Sequence, residues 1–250
     1  MSLPKPAGYV APPPPRAADV LRTVRVLATD LIPLLVKLAF QANPPSTNDV
    51  AGLAYARTLF LRALGHAGLT LEVLHRERVQ PQGGLILMWN QTSHLEHLIL
   101  GAAIPRPFLS LYNNEFGRFP IYGSYMKRTG HLLVDRKNET QWRASVALAA
   151  ARAQAGACIL VSPEGTRSWD GELLPLKRGA FLLATTSAQP IVCVTIIGGH
   201  QRLARGSAFV RKGPLRVVFS EPIATAGETT EALMQRVRET FQSVKSRYRL

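Results

Sequence analysis

Short apolar runs with no polar residue to wet either face set the tightest limit on what this chain can fold into. Leu85–Trp89 and residues 157–161 are unbroken runs of this kind, and Ile191–Ile197 is interrupted only by Thr195. A strand exposed on one face alternates apolar with polar side chains, whereas a strand covered on both faces reads as a continuous run. Further strands are predicted at 131–134 and 215–219, and after Gly68 the alternation of Leu71 and Val73 with polar neighbours marks a half-buried one. Between them lie segments of helical period at 141–153 and 180–186. A closing helix over 230–244 sets Leu233, Val237, Phe241 and Val244 on one face. Strands alternating with helices predict an α/β fold, with a mixed, largely parallel sheet flanked by helices. At 250 residues, one such domain with an N-terminal appendage accounts for the chain.

The appendage divides in two. Residues 1–16 form a Pro-rich lead whose composition suits disorder. Residues 17–68 read as an N-terminal helical hairpin, and 69–250 as the α/β domain. In the first helix Val20, Val24, Leu27, Leu31, Leu34, Leu35 and Leu38 follow helical steps, with Arg22, Arg25 and Lys37 among them. Pro33 is expected to kink or split that helix. A polar break at 43–48 precedes a second helix over 50–64, which carries Leu53, Arg57, Phe60 and Leu64. A basic amphipathic helix of this type either lies in a membrane interface or packs on the protein's own core, and both placements are open.

Charge narrows the choice of partner. Lys and Arg number 30 against 16 Asp and Glu, and a net +14 asks for something anionic. Nucleic acid is argued against, because no zinc-finger spacing, basic heptad or aromatic-rich RNA signature accompanies the charge. An anionic membrane surface and phosphorylated lipid remain. Cys158 and Cys193 sit inside apolar runs without metal-type spacing. They are expected to be buried thiols in a reducing, intracellular setting. There is no signal-peptide pattern and no spanning-length apolar run, so any membrane attachment is expected to be peripheral.

The chemistry-bearing residues cluster where strands end. Ser162-Pro163-Glu164-Gly165-Thr166-Arg167-Ser168 follows the run at 157–161 and puts a carboxylate, a flexible glycine and a guanidinium at one sheet edge. Ligands of open α/β sheets bind at the carboxyl ends of strands, and arginine's planar fork suits phosphate or carboxylate. Asn90-Gln91-Thr92-Ser93-His94-Leu95-Glu96 follows Leu85–Trp89, with Thr92 or Ser93 placed to cap the helix holding Leu95, Leu98 and Ile99. Gly130-His131-Leu132-Leu133-Val134-Asp135-Arg136 comes next, and the apolar block 190–195 closes the series.

In order and spacing these blocks resemble the glycerolipid acyltransferase family of the 1-acylglycerol-3-phosphate (lysophosphatidate) type, over about residues 71–222. The resemblance implies transfer of a fatty acyl group from a thioester, on coenzyme A or acyl carrier protein, to a hydroxyl of a lysophospholipid or related glycerolipid. It implies no metal and no other cofactor. It also implies a peripheral position on the cytoplasmic side of the inner or plasma membrane. In the family's first block, Asn-His-x4-Asp, the His is general base on the acceptor hydroxyl and the Asp orients it. Later blocks grip the acceptor's phosphate. Carried over, these roles fall on Arg136 and Arg167, with Glu164, Gly165 and Thr166 shaping the acceptor site.

This sequence departs from the family in the chemistry itself. Gln91 stands at the position of the catalytic His and Glu96 at that of the Asp, and Asn113-Asn114 replaces a basic pair. Glutamine does not titrate and is no base. Two readings follow: an acyltransferase whose base is displaced to His94 or Glu96, or a catalytically impaired lipid-binding relative. His94 lies three residues after Gln91, so on a helix both would face one cleft.

Overall fold

The computed structural model describes residues 4–6, 8–40, 46–113, 120–135 and 138–250. Its sheet has seven strands, β1 (Leu69–Leu74), β2 (Leu85–Trp89), β3 (Leu109–Asn113), β4 (Leu132–Val134), β5 (Cys158–Val161), β6 (Ile191–Ile197) and β7 (Gly213–Phe219), in the order β1-β7-β6-β2-β5-β3-β4. Every neighbouring pair is parallel except β6 with β7. The mixed, largely parallel α/β sheet expected from the sequence is therefore what the chain forms.

The continuous apolar runs work as a two-sided core. Side chains alternate across a strand, so Leu85, Leu87 and Trp89 of β2 enter one cluster while Ile86 and Met88 enter the other. The first cluster is closed by helices α3 (Val50–His66) and α4 (Glu96–Ala103). The second is closed by α6 (Glu139–Gln154), α7 (Arg178–Ser187) and α9 (Thr230–Arg247), where Leu233, Val237 and Phe241 are buried as the helical spacing predicts. Both cysteines are buried free thiols.

Among the longer elements, β3 and helix α5 (Pro120–Arg128) went unpredicted. In β3, Leu109-Ser110-Leu111 alternates as an outer strand should, but it lies between two prolines and an Asn pair that read as loop. The buried Ser110 N–H donates to His131 Nδ1 at 3.0 Å, which ties β3 to the entry of β4. Burial depresses the His131 pKa to about 4, and the neutral ring accepts that bond.

Pro33 does split the first helix, by a particular route. Helix α1 (Ala17–Val26) passes through a π turn at Leu27–Leu31 into α2 (Ile32–Phe40), and Ile32 N–H reaches back to Leu27 O. The wider turn rotates Asp30 inward until it is only 1 % exposed. There it accepts from Arg62 Nε at 2.8 Å and from Thr29 Oγ1 at 2.9 Å, and His66 Nδ1 lies 2.8 Å away. Of the expected apolar stripe, Val24, Leu27 and Leu35 stand in solvent, and so do Leu21, 76 % exposed, Ile32, and Phe40, 87 % exposed, which lie outside it. No helix among the described residues is long and apolar enough to cross a membrane.

Candidate functional site

Because β2, β5 and β6 are adjacent and parallel, the chain leaves all three at one edge of the sheet. Asn90, the first residue past β2, is buried and continues the ladder with its side chain. Its Oδ1 accepts Ile196 N–H at 2.7 Å and its Nδ2 donates to Ile196 O at 3.0 Å. Ser93 Oγ then donates to Leu203 O at 2.9 Å, which fastens the β2 exit to the segment after β6.

Helix α4 begins only at Glu96, so residues 91–94 are loop and turn, and the three-residue spacing does not put Gln91 and His94 on one helix face. Nor does Thr92 or Ser93 occupy the N-cap, which is Leu95; Ser93 Oγ instead accepts Leu95 N–H at 3.1 Å. The Glu96 carboxylate does the work of holding this loop. It accepts the N–H groups of Thr92 and Ser93 on Oε1 and Trp89 Nε1–H on Oε2 at 3.2 Å. Burial pushes its pKa up to about 8, against the pull of those donors.

Glu164 is a second staple and is 0 % exposed. Its Oε1 accepts Gln91 N–H at 2.6 Å and its Oε2 accepts Leu174 N–H at 2.7 Å, while Ser168 N–H donates to Gln91 O at 3.0 Å. Burial raises its pKa to about 7. Gly165 follows at φ +69°, a left-handed conformation that a side chain would strain, and so turns the chain between Glu164 and Arg167. The two carboxylates are thus spent on backbone N–H groups.

What they leave facing the site is positive. Arg167 is half-buried, and its Nη1 is buried without a hydrogen-bond partner. Its carbonyl accepts from Arg205 Nη1, and the Arg205 guanidinium stacks over Trp169 with Cζ 4.3 Å from the ring centroid. Trp169 in turn meets the edge of Tyr9 at 5.2 Å, from the Pro-rich lead. His94 and His97 stand within electrostatic reach of Arg167. Solvent still reaches both rings, but the surrounding protein disfavours charging them. His94 falls to about 4, by burial first and then by the charges of Arg167, His97 and Arg205.

The structure therefore brings together Gln91, His94, Glu96, Glu164, Gly165 and Arg167 from the predicted set, with Thr166 between them in the same loop. The Gln91 Oε1 is buried and unpartnered. Arg136 lies outside the described residues, as do Asn114 and Glu115. Among the described residues, no group of three or more His, Cys, Asp or Glu side chains is placed to hold a metal. Sequence reasoning missed Arg205. Its signal was position, since the segment after β6 must emerge beside the loops after β2 and β5.

Against known proteins, the profile of the family described as Acyltransferase matches residues 70–197, just over half of the chain. A 1-acyl-sn-glycerol-3-phosphate acyltransferase of Cocos nucifera is 29% identical over 141 residues, covering 56% of this chain and 46% of that protein. One of Limnanthes alba is 28% identical over 167 residues, covering 66% and 59%. The chain thus spans about half the length of these relatives. The crystal structure of the 1-acyl-sn-glycerophosphate (LPA) acyltransferase PlsC from Thermotoga maritima superposes with a TM-score of 0.76, covering 92% of this chain and 97% of that one. At 18% identity the likeness is one of fold.

Proposed function

Since the chain belongs to the Acyltransferase family, we propose that it transfers a fatty acyl group from a thioester to a hydroxyl of a lysophospholipid or related glycerolipid. The donor would be acyl-coenzyme A or acyl carrier protein, with no metal and no further cofactor. The observation that carries the reading is the fastening of the loops after β2 and β5 to each other, with Gln91 N–H on Glu164 and Ser168 N–H on Gln91 O, which gathers His94 and Arg167 at one sheet edge.

His94 is the base in this reading. Gln91 does not titrate, and both oxygens of Glu96 and of Glu164 already accept N–H bonds. With a pKa near 4 the imidazole is neutral at physiological pH and can take the acceptor's hydroxyl proton as the oxygen attacks the thioester carbonyl. The imidazolium then passes that proton to the thiolate that leaves, and ester and free thiol result. The unpartnered Gln91 Oε1 can accept from the same hydroxyl and orient it without removing its proton.

The outward apolar residues of α1 and α2, with Arg25 exposed among them, support reversible docking on an anionic membrane surface. Free buried thiols fit the cytoplasmic side of that membrane.

The test is thiol release from a long-chain acyl-coenzyme A with lysophosphatidate as acceptor. Acceptor-dependent release is expected, falling about 10²-fold or more in His94→Ala. A His94→Ala variant that keeps the full rate would remove His94 as the base. Silence from the unaltered chain with activity in Gln91→His would make it a lipid-binding relative that lacks only its base.

A further inference from the structure

We infer that Arg205 and Arg167 form a paired guanidinium site for the phosphomonoester of the acceptor, with Arg205 setting specificity for a phosphorylated headgroup. The inference rests on the acyl-transfer reading for the identity of the acceptor, but the anion site itself stands on geometry.

Several other arginines partly withdrawn from water have carboxylates, while Arg57 and Arg106 are held by backbone carbonyls. Arg22 pairs with Asp19, Arg78 with Glu221, and Arg216 with Glu72. Arg167 and Arg205 pair with no acidic side chain among the described residues. Arg205 is only 6 % exposed, yet its one hydrogen bond is to the Arg167 carbonyl. The acid whose charge Arg167 feels is Glu96, and that carboxylate is already committed to three N–H donors. Two like charges therefore stand side by side, partly desolvated, with the Arg167 Nη1 buried and unsatisfied. Burial lowers the pKa of both, and the Arg205 charge lowers that of Arg167 further.

Such an arrangement costs stability in the free protein, and an anion between the two forks would offset the cost. Planar guanidinium groups match the oxygens of a phosphomonoester two at a time, and two positive charges match its near-dianion. Trp169 holds the Arg205 plane at 4.3 Å, and Tyr9 supports Trp169 from its far edge, so the fork is presented already oriented. His94 lies within reach of both arginines, which places the anion beside the proposed base.

The experiment has two arms on the full chain. In the first, sn-glycerol 3-phosphate at millimolar concentration, against glycerol at matched ionic strength, is expected to raise the melting temperature. The rise should vanish in Arg205→Gln, persist in part in Arg205→Lys, and be unchanged in Arg143→Gln, an exposed charge on α6. In the second, KM for lysophosphatidate is expected to rise about tenfold or more in Arg205→Gln with kcat nearly constant, while monoacylglycerol use is unaffected. No shift in the unaltered protein, an equal shift in Arg205→Gln, or an equal KM rise for both acceptors overturns the inference. If Arg205→Gln fails to fold, Arg205→Lys decides, since it keeps the charge and stem but loses the fork. An Arg205-dependent shift in a chain that transfers no acyl group would leave the anion site standing and sink the acyl-transfer reading. Transfer with an Arg205-independent shift would do the reverse.

Discussion

The N-terminal hairpin and the sheet edge each bury carboxylates, and they satisfy them in opposite ways. Asp30 is met by Arg62, His66 and Thr29. Burial opposes its ionisation, but those hydrogen bonds outweigh burial and hold the carboxyl below its usual range. Glu96 and Glu164 have no cation at hydrogen-bond distance and accept only N–H donors, so burial wins and both pKa values rise. In the hairpin charge is consumed to fasten one helix to another. At the sheet edge acid and base are kept apart, the acids shape loops, and the arginines stay available for a ligand.

The largest break in this contrast should come at Glu164, which joins the β2 exit to Leu174, further along its own loop. Glu164→Ala strands two N–H groups, at about 1–3 kcal/mol each, and should cost about 2–5 kcal/mol in denaturant unfolding. Acyl transfer should be lost with it. Glu164→Gln, which keeps one acceptor oxygen, should lose about half as much. A Glu164→Ala variant of unaltered stability that still loses activity would show the carboxylate to be chemical, not structural.

That role for Glu164 was not legible in the sequence, and the reason is physical. The spacing of Pro163-Glu164-Gly165-Thr166-Arg167 places the residues at a strand end, but whether a carboxylate faces ligand or main chain depends on a partner 73 positions away, the Gln91 N–H. The runs at Leu85–Trp89 and Ile191–Ile197 were readable because burial on both faces leaves a local imprint. Strand β3 left little imprint, since its pairing with β4 is settled at distance, through His131. Arg205 left no local imprint, and its place after β6 points to the site only once the sheet order is known.

The contrast also fixes opposite pH dependences. For Asp30 the native pKa lies below its ordinary 3.8, so its contribution is present above that value and is lost as pH falls through the native one. Asp30→Asn should cost about 1–2 kcal/mol near pH 7, and the gap should close in acid. For Glu96 the native pKa of about 8 lies above the ordinary 4.5, so stability is greatest below 4.5 and declines as pH rises through 8. From about pH 4.5 to 8 the folded state keeps a proton on Glu96 that the unfolded chain has lost, a decline of up to about 1.4 kcal/mol per pH unit, to which Glu164 adds its own share up to about pH 7. Glu96→Gln should flatten that decline in urea titrations across the window. An equal slope in both proteins would show that Glu96 ionises freely and that the N–H donors dominate burial.

Tyr9 offers the finest test, because there the lead that precedes the hairpin touches the sheet edge. Its ring meets Trp169 edge-on, and Lys5 Nζ lies 5.3 Å from one ring centroid and 5.8 Å from the other. An aromatic pair of this geometry contributes about 0.5–1.5 kcal/mol, and here both rings are only half-buried, so Tyr9→Ala should cost about 0.5 kcal/mol of stability. The functional effect should exceed what that figure suggests. With its far edge unsupported, Trp169 holds the Arg205 plane less firmly, and KM for a phosphorylated acceptor should rise about two- to threefold at constant kcat. Tyr9→Phe keeps the ring and should behave as the unaltered chain in both respects. A KM that stays fixed in Tyr9→Ala while stability falls would mean that the lead merely drapes over Trp169.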